Sequence, residues 1–349
     1  MSDAREKVLT LKPSEAKEWD RIIDSFIYNI PQQRSGWMRA YETHGYDGKA
    51  CLFYCETKNL RAVNTLFLKP YDDDQEKTEA ITPYTGTSMH IEKKEGCRGA
   101  GEEREGAGEG GFDAGAECPN VGELYQTEVD EVFAAFDAWL KENGISREKA
   151  VFRYDAPKTF DRERYYEPFL EINTYVMHAG TDETIIASMH KEQKRNLKKG
   201  INAGLKVDIT DYTPSDAELL HGIYTEFING KRHFAYYDYS EEFLVSLAGE
   251  FSENLKLVKV YDGGVLLTEL LLVTGNNVTE VLLVANTEAS YNTGSNALMY
   301  FELARLAHKN GCKYLSLGTA GEGGLSRFKL HLDKNGLKIN PMVIHRPLT

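Results

Sequence analysis

The stretch LKLVKVY (255–261), DGG (262–264), VLLTELLLV (265–273), TGNN (274–277), VTEVLLVA (278–285) decides the fold class. Three short β-branched and leucine-rich runs are separated by Asp-Gly-Gly and Gly-Asn-Asn, residues that accept positive φ at little cost. They read as a three-stranded meander. Next comes NTEASYNTGS (286–295), a loop with one glycine, then a helical pattern from about Asn296 to Asn310 stopped by Gly311, and the strand KYLSLG (313–318). A meander followed by helix and strand is an α/β arrangement with a mixed sheet.

Working outward, Asp182 heads a helical pattern whose apolar face is Ile185, Met189, Leu197 and Ile201, ending near Gly204. Ser215 and Glu218 have capping-box spacing before a second helix, and Ser240 opens a third. In the first half, Leu11, Trp19, Ile22, Ile23 and Phe26 suggest an amphipathic helix. ACLFYCE (50–56) and LRAVNTLFL (60–68) suggest a hairpin, and Leu124 to Leu140 a helix stopped by Asn143-Gly144. Both halves thus carry helices followed by strand-turn-strand. Residues 92–119, rich in Gly, Glu and Ala, read as a mobile surface insertion. Its GxGxxG (Gly106, Gly108, Gly111) has no preceding strand and is ringed by acids, which argues against a dinucleotide site.

Composition narrows the function. The 349 residues carry a net charge of -13, so the chain as a whole repels DNA and anionic membranes, and any anion site needs a local basic patch. Five dispersed cysteines point to a reducing compartment. With neither signal peptide nor membrane span in the sequence, a cytoplasmic protein without integral membrane association is expected. GxxxxGK[ST], GxSxG, HExxH and CxxC are missing, and the nine histidines share no ligand register, so no metal is expected.

Three features carry chemistry. Lys191, Lys194, Arg195 and Lys198 fall at i, i+3, i+4 and i+7, four cations in one stripe. The stripe is either a solvated helix face or a seat for the phosphates of a nucleotide-linked substrate, coenzyme A or tRNA. The loop before the 296–310 helix offers backbone N–H groups and the positive end of the helix dipole, although a plain helix start explains it too. The third is Gly318 to Gly324 followed by LSRFK (325–329). There Lys329 is either a surface lysine or a cation that stabilises a developing oxyanion.

The order HKEQKRNLKKGINAG (190–204), meander, GSNALMYFELARLAHKNGCKYLSLG (294–318), LSRFKLHL (325–332) resembles the FemAB-type aminoacyltransferases of the GNAT superfamily. IPQQRSGW (30–37) and TPYTG (82–86) are similar to that family's Q-x-x-x-W and TPYGYGG stretches. The resemblance implies two tandem GNAT-like lobes, 1–165 and 166–349, the second with the donor site, and an active cleft between or within them. It implies transfer of an acyl group from acyl-CoA to an amine or hydroxyl of a small or nucleotide-linked acceptor. The alternatives are aminoacyl-tRNA as donor, or a catalytically silent binding protein. No permanently bound cofactor is implied. Carried over, Phe328 and Lys329 match the catalytic FK, Gly294, Ser295 and Asn296 the donor-binding helix start, Arg195 and Asn196 the RrN pair, and Tyr84 and Gly86 the TPYGYGG turn. Tyr236 and Tyr237 look like a substrate-side aromatic pair, or core aromatics. Ser316 stands where the family has a strand aspartate, leaving no obvious general base. Loss of Lys329 is expected to slow turnover without changing the melting temperature.

Overall fold

A computed structural model of the chain describes residues 7–44, 48–70, 76–82, 87–94, 121–229, 237–275, 278–321 and 323–346. The chain forms two compact units. Unit 1 comprises residues 1–38, 46–171 and 340–349; unit 2 comprises 39–45 and 172–339. No single cut separates them, because residues 39–45 group with the second unit and 340–349 with the first.

In unit 1, β1 (Lys7–Leu11), β2 (Lys49–Glu56), β3 (Leu60–Pro70), β4 (Thr78–Ile81) and β6 (Ile145–Val151) lie side by side, with β5 (His90–Lys93) also on β3. The β2–β3 hairpin is in register from Lys49 opposite Leu68 to Glu56 opposite Arg61. α1 (Ala16–Ser25) buries Trp19, Ile22 and Ile23, whereas Leu11 belongs to β1. α2 (Ser35–Glu42) follows, and a short α3 (Val121–Leu124) precedes α4 (Gln126–Glu142). α4 lays Val129, Val132, Phe133, Phe136 and Trp139 on the sheet, Phe136 meeting Phe53 edge-on at 4.9 Å. Burying such rings removes about 150–250 Å² each from water. Gly144, at φ 65, ends α4 as expected. Glu92 and Lys93, assigned to the insertion by composition, are part of β5, and Glu92 is buried and paired with Arg61. Residues 95–119, including the GxGxxG, lie outside the described residues.

Unit 2 holds the meander. β9 (Leu255–Asp262), β10 (Val265–Thr274) and β11 (Thr279–Asn286) pair antiparallel, with β8 (Lys206–Asp211) beyond β9. β12 (Tyr314–Thr319) pairs parallel with β11 and antiparallel with β7 (Tyr166–His178). The single helix expected from Asp182 to Gly204 is two helices. α5 (Asp182–Ser188) is capped by Thr181 rather than Asp182, and α6 (Lys191–Asn202) by His190. The break at Met189–His190 buries Met189 while leaving the cationic stripe on α6. The box ahead of α7 (Ala217–Ile228) is Thr213/Asp216, on the 3-10 turn Pro214–Asp216 that leads into it, not Ser215/Glu218: Thr213 N donates to Asp216 Oδ2 at 3.1 Å. Ser240 caps α8 (Glu241–Phe251) as expected. α9 (Ser295–Lys309) and α10 (Gly324–Leu332) complete the unit, and β13 (Leu337–His345) returns the chain to unit 1.

The core of unit 2 lies between the sheet and the helices α5, α6, α9 and α10, joining Leu270 and Leu272 to Ile185, Leu197, Leu298 and Phe301. Cys51, Cys55 and Cys312, the cysteines among the described residues, are buried. Among the described residues no helix is long and apolar enough to cross a membrane.

Candidate functional site

β11 and β12 run parallel for two residue pairs only, Thr279 with Leu315 and Glu280 with Ser316. Each strand then carries a bulge. On β11 the register with β10 jumps from Leu271 opposite Leu283 to Leu272 opposite Val281, so Leu282 is the extra residue. On β12 it jumps from Ser316 opposite Val176 to Gly318 opposite Tyr175, so Leu317 is extra. A bulge bends its strand and leaves a residue out of the ladder, and Gly318 at φ 70 supplies the left-handed backbone that a bulge favours.

Lys329 on α10 occupies the second bulge. Its Nζ donates to the carbonyl of the extra residue Leu317 at 2.5 Å and to that of Thr319 at 2.8 Å. The side chain is 8% exposed, so it is not a surface lysine. Burial lowers its pKa to about 8, against the nearby Glu280 carboxylate, which favours the charged form. The ammonium therefore holds a strand end in shape as well as placing a positive charge there. This overturns the expectation that its loss spares stability. Phe328 packs at the edge of the unit 2 core, 5.9 Å from the Tyr300 ring.

Next to the lysine, the Thr319 hydroxyl lies 3.4 Å from the Tyr237 hydroxyl, so Tyr237 and Lys329 meet on one residue of β12. Tyr84, Gly86 and Tyr236 lie outside the described residues. At the last rung of the ladder, Ser316 Oγ donates to Glu280 Oε1 at 3.0 Å, and both residues are buried. A buried carboxylate from the neighbouring strand thus lies beside Ser316. A second buried carboxylate, Glu269 on β10, has the Lys259 ammonium at 3.3 Å, and burial raises its pKa. Both glutamates interrupt apolar strand runs, and that interruption was the available sequence signal.

α9 begins at Gly294, which has φ 88. A Cβ there would come within 2.3 Å of the Asn196 carbonyl oxygen and 2.9 Å of the Gly200 nitrogen, so this glycine lets the start of α9 sit against α6. Ser295 is buried; its N–H donates to Thr293 Oγ1 at 3.2 Å, and its hydroxyl meets that of Thr268 at 3.2 Å. The helix geometry leaves the N–H groups of Asn296 and Ala297 without intrahelical acceptors. Of the stripe, Lys191, Arg195 and Lys198 are exposed, and the half-buried Lys194 reaches the Ala187 carbonyl at 3.5 Å. Lys199, not singled out by the stripe, donates to the Asn292 carbonyl and ties α6 to the loop before α9. At its other end α6 meets α10, where His190 N donates to the His331 carbonyl at 2.9 Å. α6 therefore touches both the Gly294 turn and the helix that bears Lys329.

Other likenesses prove structural. In IPQQRSGW, Trp37 and both glutamines are buried; Gln33 Oε1 accepts from Ile30 N at 3.1 Å, and its carbonyl accepts from Trp19 Nε1 at 2.7 Å.

Comparison with known proteins follows this geometry. Residues 187–330 match the family described as Acetyltransferase (GNAT) domain, which spans the stripe, the meander, α9, β12 and most of α10. No curated protein sequence matches the chain. Among solved structures, FemX superposes with a TM-score of 0.64 over 98% of this chain and 97% of its own, at 9% identity. A conserved protein of unknown function from Bacteroides thetaiotaomicron gives 0.56 over 98% and 100%, at 10% identity. The C-terminal domain of a putative lysylphosphatidylglycerol synthetase from Agrobacterium fabrum gives 0.53 over 97% and 93%, also at 10%. At such identities the likeness is one of fold. The matched domain covers residues 187–330, within unit 2, and the fold of the chain as a whole is like that of FemX.

Proposed function

We propose that unit 2 transfers an acyl group from acyl-CoA to an amine or hydroxyl, with the reacting carbonyl at the place where β11 and β12 part. The observation that supports this reading is the gathering of polar groups past the two-pair ladder: the Glu280–Ser316 pair, the Lys329 ammonium and the Tyr237–Thr319 pair. The acceptor's nitrogen or oxygen bonds to the thioester carbon, and the carbon–sulfur bond breaks. The acceptor's proton passes to the Glu280 carboxylate, directly or through Ser316, and the departing sulfur takes up a proton. The Lys329 charge offsets the oxyanion that forms in between. Holding donor and acceptor together supplies much of the remaining rate.

The donor's phosphates sit at the start of α9, near Ser295, Asn296 and Ala297, with Lys194 and Arg195 of the adjoining α6 as counter-charges. The fold likeness to FemX and to the domain of a putative lysylphosphatidylglycerol synthetase favours a second reading, in which the acyl group is an aminoacyl group and the donor an aminoacyl-tRNA. The net charge of -13 weighs against it, because tRNA affinity depends on many phosphate contacts.

Thermal melting of the whole chain with CoA, acetyl-CoA, longer acyl-CoAs and charged tRNA tests both. At a hundredfold excess over Kd a ligand stabilises by about 2.7 kcal/mol. A rise in melting temperature with CoA and its thioesters is expected. A rise with charged tRNA alone transfers the proposal to the second reading, and no rise with any of them rejects both.

A further inference from the structure

We propose that His190, Glu192 and His331 form a binding site for a divalent transition metal of the Zn2+ class, clamping the start of α6 to the end of α10. The three side chains offer one ligand atom each, all within 4.8 Å of one another. His331 Nδ1 and Glu192 Oε2 are 3.1 Å apart, and the two imidazole rings stack with centroids 4.2 Å apart. A tetrahedral ion with ligands at about 2.0–2.2 Å needs ligand atoms about 3.3–3.6 Å from one another. One edge of that polyhedron is therefore nearly formed, and the other ligand atoms, within 4.8 Å, have to close by side-chain rotation.

The backbone already fixes the ligands' roots. His190 N donates to the His331 carbonyl at 2.9 Å, and Lys334 N to the Ser188 carbonyl at 3.1 Å, so two main-chain hydrogen bonds brace the segments that carry both histidines. A site rooted on fixed backbone loses little freedom when the ion arrives. The rings are near-parallel, 19° apart, so one must turn for both lone pairs to meet a single ion. His190 can turn because the contact of its Nδ1 with the Glu192 N–H is long at 3.4 Å. His190 and Glu192 are exposed and His331 is half-buried, so an ion can reach them from solvent.

The donor set selects the ion. Two imidazoles with one carboxylate suit Zn2+ and its first-row neighbours, whereas Mg2+ and Ca2+ prefer oxygen ligands. Three protein ligands leave a fourth position for water. The Glu192 carboxylate is needed for charge, because Lys191 and the positive end of α6 oppose a dication. His331 is 139 residues from Glu192 in sequence, which is why no ligand spacing is visible there. The inference is independent of the acyl-transfer reading.

The test uses the full chain freed of metal by chelation and dialysis. Titration calorimetry with ZnCl2 is expected to find one ion per chain, and ZnCl2 is expected to raise the melting temperature while equal MgCl2 does not. The double variant His190→Ala, His331→Ala should bind Zn2+ at least tenfold more weakly, and Glu192→Gln about tenfold more weakly. Co2+ should give visible ligand-field absorption with the wild-type chain and lose it with the double variant. Undiminished Zn2+ affinity in the double variant, or no Zn2+ binding by the wild type, overturns the proposal.

Discussion

Ser316 on β12 gives its hydroxyl hydrogen to the carboxylate of Glu280 on β11 across 3.0 Å, at the last rung before the two strands part. A buried carboxylate with a hydroxyl partner at a strand opening is well placed to take a proton from an acceptor. Glu280→Gln keeps the side chain's shape and an oxygen for Ser316 while removing the basicity. Turnover should fall by about a hundredfold or more, the range that positioned bases supply. The melting temperature should fall modestly, because the buried Lys329 ammonium loses a nearby opposite charge. Steady-state kinetics beside a melting curve decides it; full activity in this variant would take Glu280 out of the chemistry.

Lys329 has two duties whose pH trends oppose each other. Burial holds its pKa at about 8, below that of a lysine in the unfolded chain, so the unfolded chain keeps this proton to higher pH. The burial cost is present below pH 8 and is relieved as pH rises from 8 towards the ordinary lysine value, so this residue's contribution to stability improves over that window. Charge support for an oxyanion fades over the same window. The ratio of wild-type to Lys329→Met turnover should therefore be tenfold or more near pH 7 and shrink above pH 8. Lys329→Met also leaves the Leu317 and Thr319 carbonyls without their donor, at about 1–3 kcal/mol for each buried group, so its melting temperature should drop at pH 7. A turnover ratio that stays flat with pH would confine Lys329 to shaping the bulge.

How much of this was legible in the letters depends on the range of the forces involved. The meander and the β2–β3 hairpin are local, set by apolar runs and turn residues, and they appear as read. β4 is only four residues long, and β1, β5 and β13 are short or exposed strands whose partners lie far away in sequence, so no local periodicity announces them. The Asp182–Gly204 helix was misread because Met189 continues the apolar face on paper, yet His190 breaks the helix and caps the next one. Glu280 meeting Ser316 and Lys329 meeting Leu317 join different elements. Ser316 and Lys329 could be named in advance, but not Glu280 or the contacts they make.

The cationic stripe gives a prediction with the opposite balance of effects. Arg195 is exposed and Lys194 half-buried, and exposed charges contribute little to stability. The double variant Lys194→Glu, Arg195→Glu should melt within a few degrees of wild type. If these cations face the donor's phosphates, replacing two attractions by two repulsions should raise KM for the donor at least tenfold and leave kcat much less changed. An unaltered KM would mean that the stripe is only a solvated face.

Gly294 tests whether the start of α9 is shaped first by packing. Its φ of 88 strains any residue with a Cβ, and the Cβ of alanine would fall 2.3 Å from the Asn196 carbonyl oxygen, which belongs to backbone and cannot swing aside. α6 and α9 would have to separate, and Gly200, whose own added Cβ would meet the Gly294 carbonyl oxygen at 3.1 Å, lies on the same contact. A strained backbone costs about 1–3 kcal/mol before any loss of packing. In a unit of this size each kcal/mol moves the midpoint by about 2–4 °C. Gly294→Ala should therefore melt several degrees lower than wild type, and donor affinity should fall with it, because the amides of Asn296 and Ala297 move with the helix. Gly204→Ala is the control: it has a similar φ of 72 but no atom within 4 Å of its added Cβ, so it bears the strain without the collision and should lose less. Equal losses in the two variants would show that backbone conformation, not the approach of α6, makes glycine necessary at 294.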